Sequence, residues 1–189
     1  IKQKRINNTI VEHPAAYDPQ SNGAAEKAVQ ETMEQLRAVK LALEQNLQVV
    51  FETGHVILEW GLEHAATLIS RYKIGSDGKS AYRRLKGKEC RQTMVEFGEQ
   101  VLAKPKRSPG STRKQSLKSK WIDATWVGTS RNSNEHLAIC EHGGPVIKVR
   151  TVRRKPMDNM WSLEKIKKIV AKPSTHNPMD EEQTRAQSE

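Results

Sequence analysis

The residues before one carboxylate of this sequence suggest that it belongs to a functional site. Glu26 follows the stretch YDPQSNGAA, in which Pro19 and the pair Asn22-Gly23 are typical of a turn. Gly23 allows a backbone or a ligand to approach closely, and the two alanines behind it keep the start of the next helix slim. A carboxylate held there is rigid and accessible. The helix dipole also favours an acid in a first turn, by about 0.3–1 kcal/mol, so position alone leaves a purely structural role open.

Positive charge is the second chemical feature. Lys and Arg outnumber Asp and Glu by 32 to 22, which gives a net charge of +10 and a pI near 9.7. Residues 104–120 hold seven Lys or Arg, two prolines and no acid, and we interpret them as a mobile basic loop. A second basic cluster ends the last predicted strand. The predicted phosphate-contacting residues are Lys104, Lys106, Arg107, Arg113, Lys114, Lys118, Lys120, Arg150, Arg153 and Arg154.

A charge excess of this size favours a polyanionic partner, and nucleic acid is the first candidate. Neither basic cluster indicates base-specific reading, because phosphate contacts position a protein without specifying a sequence. A solvated loop whose charges only confer solubility is the alternative.

Hydrophobic periodicity predicts helices in the first half of the chain. Apolar residues at positions 25, 29, 33, 36, 39 and 43 trace one face of a helix that begins at Ala24. A second helix is predicted over residues 55–72. A short third helix is predicted over Ala81–Lys86, with Ser80 as its N-cap and Gly87 as its stop.

The period changes in the second half of the chain, which predicts strands at residues 97–103, 122–128, 136–140 and 146–152. Short strands at such spacing suggest a small barrel. A further short strand could form at residues 8–13, a last helix is predicted over residues 161–170, and the sequence from Ala171 is typical of a disordered tail. The fold class is therefore predicted to be α+β.

Other residues give weaker signals. Cys90 and Cys140 form no CxxC motif, so we expect free thiols in a reducing compartment. No apolar run is long enough for a membrane span. The His136, Cys140 and His142 side chains are not gathered with a fourth ligand by strand alternation, which favours structural roles over a zinc site. The tryptophans could stack on bases, but core packing is the favoured interpretation.

The turn before Glu26 also resembles a known family. The stretch HPAAYDPQSNGAAEKAVQETMEQLR is similar to the end of the catalytic core of retroviral and retrotransposon integrases, in which a Pro-Gln-x-Asn-Gly-x-x-Glu pattern carries the last acid of an Asp-Asp-Glu triad. Pro19, Gln20, Asn22, Gly23 and Glu26 match that pattern. The downstream stretches WGLEHAATLISR and GKSAYRRLKGK resemble the two helices that follow in Copia-type elements. The stretches FGEQVLAKPKR, WIDATWVGTS and VIKVRTVRR resemble the small SH3-like barrel behind that core. The resemblance covers residues 5–156 and is strongest at 14–37 and 64–103.

This resemblance implies a domain organisation. Residues 1–92 would be the C-terminal portion of an RNase H-like catalytic core, mostly helical here. Residues 96–155 would be an SH3-like β-barrel, and residues 156–189 a short helix and a disordered tail. Because the chain begins with Ile1 rather than Met, we expect a fragment or a processed product of a retrotransposon Pol polyprotein.

The resemblance also implies a chemistry. Integrases hold two Mg²⁺ or Mn²⁺ ions between three acids and catalyse 3′-processing and strand transfer during DNA integration. Glu26 would be both the catalytic residue and the metal ligand, DNA the partner, a homo-multimer the assembly, and the nucleus or a cytoplasmic retrotransposon particle the location. The two partner aspartates would lie upstream of Glu26, where the only aspartate of this chain is Asp18, within the motif itself. The chain alone is therefore predicted to be inactive.

Three alternatives stay open at the level of sequence. A domesticated DNA-binding module without catalysis would keep the basic clusters. A decayed retroelement product would have no activity. A protein–protein adaptor that uses the barrel would bind its partner with little dependence on salt.

Overall fold

The structure is a computed structural model that describes residues 23–92, 95–106, 119–131, 133–140, 143 and 145–175. The chain divides into two units, Ile1–Glu31 and Thr32–Glu189. Residues 23–31 are the described part of the first unit, and they begin the first helix. The remaining elements belong to the second unit. The strand predicted at residues 8–13 and the tail beyond residue 175 lie outside the described residues.

Helices and an antiparallel sheet make an α+β fold, as the sequence predicts. The helices are α1 (Gly23–Leu47), α2 (Val56–Tyr72), α3 (Ala81–Lys86) and α4 (Leu163–Lys167), with single 3-10 turns at Met157–Asn159 and Pro173–Thr175. The strands are β1 (Gln100–Ala103), β2 (Ile122–Thr129), β3 (His136–Cys140), β4 (Val146–Val149) and β5 (Val152–Arg154).

Capping residues explain where the helices begin and end. The His55 Nδ1 atom accepts a hydrogen bond from the Ile57 amide at 3.2 Å, so His55 caps α2 instead of joining it. Ser80 caps α3 by accepting from the Arg83 amide at 3.2 Å, and Gly87 ends α3 with a φ of 71°. The predicted bounds and caps of α3 are confirmed.

Helix α1 is confirmed, but its apolar face is buried only near its C-terminal end. Val39 and Leu43 are buried, whereas Met33 is 42 % exposed. Leu43 packs against Gly98, whose φ is 85° and where an added Cβ would overlap the Leu43 Cδ1 atom. This turn at Gly98 explains why β1 starts at Gln100, three residues later than predicted.

The sheet has the order β4-β3-β2-β1-β5, and every neighbouring pair is antiparallel. The strand predicted over residues 146–152 is two strands. Its first part pairs with β3, where His136 faces Val149, and its second part crosses to β1, where Ala103 faces Val152. Among the described residues β4 and β5 are free edges, so the predicted closed barrel is not formed.

The end of the described chain differs from the prediction as well. Helix α4 is only Leu163–Lys167, capped by Ser162, which accepts a hydrogen bond from the Lys165 amide at 3.4 Å. Residues 171–175, predicted to be disordered, form an ordered segment with a 3-10 turn. The Trp60 indole donates to the Ala171 carbonyl at 2.8 Å, which holds this segment on α2. This contact with α2 orders a segment whose polar sequence is typical of a disordered tail.

The sheet packs on the helices through one face. Helix α2 lies on β2, and a cluster that includes Ile57, Trp60, Val127 and Ile139 fills the space between them. The other face buries small residues, with Ala103, Ala124, Ala138 and Val149 in one cluster. Small side chains in adjacent strands let the sheet curl, which keeps this second core thin.

The Trp126 side chain is buried in the core, as predicted, and its indole N–H donates to His136 Nδ1 at 3.1 Å. His64 of α2 lies against it, with ring centroids 5.2 Å apart, and stacks on Phe97 at 5.4 Å. Burial in this aromatic site, together with the Arg71 charge, lowers the pKa of His64 to about 4. His64 is therefore neutral in the folded protein at pH 7.

A buried carboxylate fixes the edge strand β5. The Glu99 side chain is fully buried, and its two oxygens accept hydrogen bonds from Arg154 Nε at 2.9 and 3.0 Å. Arg154 also reaches Glu96 at 3.2 Å, and the Glu96 amide donates to Glu99 at 3.2 Å. A charge removed from water needs such a partner. Arg154 therefore has a structural role that its sequence context does not indicate.

Arg154→Met should lower the free energy of unfolding by roughly 2–4 kcal/mol, because Glu99 stays buried without its cation. The loss is smaller than for a fully enclosed pair since the Arg154 side chain is 44 % exposed. Urea denaturation at pH 7 measures the change. Arg153→Met is the matched control in the same strand, with an expected loss below about 1 kcal/mol. Equal losses for the two variants would contradict the structural role of Arg154.

Acid should destabilise the protein through His64. Unfolded histidine has a pKa near 6.5, so protons favour the unfolded state as the pH falls from about 6.5 to about 4. Between pH 7 and pH 4.5 this removes about 2 kcal/mol of stability. His64→Leu removes the titration, so its unfolding free energy should fall less over that range. Parallel pH profiles of the two proteins, measured by urea denaturation, would refute this account.

Candidate nucleic-acid interface

One end of the sheet carries an aromatic ring with two cations close to it. Lys104 Nζ lies 5.9 Å from the centroid of the Trp121 ring, and the Arg153 guanidinium carbon lies 4.5 Å from it. Both cations are exposed and Trp121 is partly buried. Distances of this size allow cation–π attraction, worth about 0.5–1 kcal/mol at an exposed site.

Strand pairing brings these three residues together. Ala103 of β1 faces Ile122 of β2. Lys104 directly follows Ala103 and Trp121 directly precedes Ile122, so Lys104 and Trp121 lie at the same end of this strand pair. Arg153 comes from β5, where it faces Leu102. Alternation along β5 directs Arg153 and Arg154 to opposite faces. Because Arg154 points to Glu99, Arg153 points to Trp121.

Ser119, two residues before Trp121, holds the Trp121 backbone through two hydrogen bonds. Ser119 Oγ accepts a hydrogen bond from the Trp121 amide at 3.2 Å and donates to the Trp121 carbonyl at 3.0 Å. Sequence reasoning favoured the core for this tryptophan. The signal for a surface role was its place directly after Lys118 and Lys120, at the end of the basic segment.

Two more cations lie around Glu135, which precedes β3 at the Thr129 end of β2. The Lys104 amide donates to the Thr151 carbonyl at 3.2 Å, which sets the exit of β1 beside the β4–β5 connection. Lys106 Nζ lies 2.8 Å from Glu135, and Arg150 Nε lies 3.6 Å from the same carboxylate. The hydrogen bond from Lys106 is the largest cause that lowers the pKa of Glu135. Two cations share one acid here, so the net charge stays positive.

We call this set the cationic surface. Its members are Lys104, Lys106, Lys120, Arg150, Arg153 and Trp121. Four other predicted phosphate contacts, Arg107, Arg113, Lys114 and Lys118, lie outside the described residues. They belong to the segment that leaves the described chain at Lys106 and returns at Ser119, so both of its attachment points are at this surface.

Glu26 belongs to the first unit and is described by itself. It lies in the first turn of α1 and is exposed. Gly23 is the first residue of the helix, and no described residue lies within 4 Å of the position of an added Cβ. The motif residues Pro19, Gln20 and Asn22 lie outside the described residues.

Metal ligation by the described residues is not supported by their placement. In the part of the chain that the structure describes, no three His, Cys, Asp or Glu side chains gather into a group that could hold an ion. Glu26 alone does not fit a two-ion centre, because Mg²⁺ requires several oxygen ligands in octahedral geometry. Within the same residues, no helix is long and apolar enough to span a membrane.

Comparison with known proteins adds no relative. No protein-family model, no curated protein and no solved structure matches this chain. The features of this chain that bear on its function are therefore the motif around Glu26 and the geometry of the cationic surface.

Proposed function

We propose that this chain is part of a Copia-type retrotransposon integrase and that it binds DNA through the cationic surface. The observation that carries the proposal is the closeness of Lys104 and Arg153 to the Trp121 ring. Exposed cations beside an aromatic face suit a nucleic-acid backbone and an adjacent base. The proposal places the protein in the nucleus or in a retrotransposon particle.

The contact would be independent of sequence. The long side chains of Lys104, Lys120 and Arg153 can follow phosphates, and Glu135 limits the freedom of Lys106 and Arg150 without neutralising both. Trp121 can stack on an unpaired base because every base has a π face. DNA ends with unpaired bases would therefore bind through both charge and stacking.

The strand order supports an SH3-like domain as part of the proposal. Only residues 150 and 151 connect β4 to β5, although these strands are the opposite edges of the sheet. Three Cα steps of about 3.8 Å limit the distance between the two edges to about 11 Å at this connection. The sheet must therefore curl strongly, as a barrel-like domain requires.

Catalysis would belong to the complete protein. There Glu26 would be one of three acids around two Mg²⁺ or Mn²⁺ ions, which supply an activated oxygen nucleophile and stabilise the leaving oxygen. The described residues contribute one accessible carboxylate, so no catalytic step is assigned to them. Their proposed contribution is DNA binding.

The full chain should bind a short DNA duplex in a salt-dependent manner. If about five cations contact phosphates, the logarithm of the association constant falls by roughly four to five units per logarithmic unit of salt. Lys104→Ala combined with Arg153→Ala should reduce that slope by roughly two and weaken binding equally for unrelated sequences. Fluorescence anisotropy over a salt series measures both quantities.

The matched control is Lys88→Ala combined with Arg91→Ala, which removes the same charge from exposed positions outside the cationic surface. This control should change the slope by less than half a unit. Equal slopes for the two double variants, or binding that does not depend on salt, would contradict the proposal and would favour a protein partner.

Glu26→Gln should abolish strand transfer in the complete integrase, since an amide oxygen binds Mg²⁺ far more weakly than a carboxylate. A strand-transfer assay with labelled DNA ends measures the loss, which we expect to exceed about a hundredfold. Glu34→Gln, an exposed acid later in the same helix, is the control and should retain activity. Normal activity of the Glu26 variant would disprove the integrase assignment while leaving DNA binding by the cationic surface untouched.

A further inference from the structure

Two contacts fix the last described residues on α2. The Trp60 indole donates to the Ala171 carbonyl at 2.8 Å. Lys172 Nζ lies 3.0 Å from a carboxylate oxygen of Glu59. Both contacts come directly before the 3-10 turn at Pro173–Thr175. They therefore determine where the chain leaves the described part of the domain.

The chain leaves this part of the domain beside two cations. Pro173 and Ser174 line a pocket of about 440 Å³, and Arg131 and Lys148 line the same pocket. We call Arg131 and Lys148 the pocket cations. Residues 176–189 follow the turn, so they begin next to a lysine of β4 and an arginine that follows β2.

Positive charge is in excess at the pocket. Glu63 also lines it and accepts a hydrogen bond from Arg131 Nε at 2.9 Å. Lys148 is partly buried, and no carboxylate of the described residues pairs with it. A partly buried ammonium group attracts a carboxylate, because the charged hydrogen bond between them is strong. The pocket cations therefore have room for a further acid.

The pocket adjoins the cationic surface. Ser130 lines the pocket, and its amide donates to the Glu135 carbonyl at 2.9 Å. Glu135 is the acid that Lys106 and Arg150 share. Arg150 comes two residues after Lys148 in the chain. A ligand bound by the pocket cations would therefore lie at the edge of the surface that we propose for DNA.

The sequence after the turn has the opposite charge. Residues 176–189 contain four acids and one arginine, whereas the whole chain has a net charge of +10. Three of the acids are consecutive, at Asp180, Glu181 and Glu182. They come five to seven residues after Thr175, which at up to about 3.6 Å per residue gives them a reach of about 25 Å. The pocket cations lie within that reach.

We propose that the acidic segment Asp180–Glu182 binds the pocket cations of its own chain and competes with DNA for the adjoining cationic surface. The attachment at Thr175 gives the segment an effective concentration in the millimolar range, so weak ion pairs are sufficient. Salt screens such pairs, so the binding is strongest at low ionic strength. Binding of the segment does not require DNA, whereas the competition rests on the proposed function.

Carbodiimide cross-linking of the full chain tests binding of the segment without DNA. The reagent joins a carboxylate to a lysine amine where the two are in contact, and mass spectrometry identifies the joined residues. A link between Lys148 and one of the three acids is expected at low salt. It should fall at least about fivefold at about 1 M salt. The pair Lys172–Glu59, at 3.0 Å, is the internal reference. A reference link without any link from Lys148 to the acidic segment would overturn the inference.

A mixture of unlabelled and ¹⁵N-labelled chains distinguishes binding within one chain from binding between two copies. Binding within one chain predicts links between peptides of the same isotope only. Links that combine the two isotopes in the statistical proportion would assign the acidic segment to a second molecule and contradict the inference.

Neutralising the acidic segment tests the competition with DNA. The triple variant Asp180→Asn, Glu181→Gln and Glu182→Gln should bind a short DNA duplex at least about threefold more tightly than the unchanged protein at low salt. The reason is that a larger fraction of the protein then has its cations free for DNA. Fluorescence anisotropy measures the affinities, and calorimetric melting confirms that the variant folds.

The matched control removes the same charge from three exposed acids outside the acidic segment, through Glu34→Gln, Glu52→Gln and Asp158→Asn. This control should gain less than about twofold, because distant exposed charges are screened. Equal gains for the two triple variants would attribute the effect to net charge and refute the competition. Absence of DNA binding by all three proteins would refute the proposed function and the competition with it, while the Lys148 link still decides whether the segment binds.

Discussion

The buried carboxylate of Glu99 is the constraint on which the arrangement of this domain depends. Its side chain is fully buried at the entrance to β1, and its two oxygens accept hydrogen bonds from Arg154. An ionised group in such a place is tolerated only with its cation. Because Arg154 is in the edge strand, this requirement ties β5 to β1 at one particular register, with Leu102 facing Arg153.

That register determines the surface on which the functional account is based. Adjacent residues of a strand point to opposite faces, so the inward direction of Arg154 requires the outward direction of Arg153. The outward guanidinium of Arg153 lies over the Trp121 ring, and Ser119 Oγ accepts a hydrogen bond from the Trp121 amide. A structural ion pair thus orients a functional cation next to it, although two adjacent arginines look equivalent in the sequence.

Local signals predicted local structure well. Ser80 and Gly87 delimit α3 because capping depends on neighbouring residues, and strand β3 coincides with its predicted range. Long-range effects were not predictable. The run at residues 146–152 looks continuous, but it pairs with β3 and then with β1.

The candidate site was predictable in part. The basic segment and Glu26 were visible from residue type and spacing, and the described members are exposed. Structural details came from contacts between residues far apart in sequence. These include the Glu99 partner of Arg154, the closeness of two cations to Trp121, and the buried Nδ1 of His64, which has no hydrogen-bond partner among the described residues. No periodic pattern encodes such contacts, because each depends on how separate elements meet.

The most direct test of the DNA-binding account is to follow the four tryptophan indole N–H signals by NMR while DNA is added to the full chain. The indoles of Trp60 and Trp126 are buried and bonded to Ala171 and His136, so they serve as internal references. The account predicts that the Trp121 signal shifts most and that high salt reverses the shift. DNA binding that leaves the Trp121 signal unmoved would contradict it.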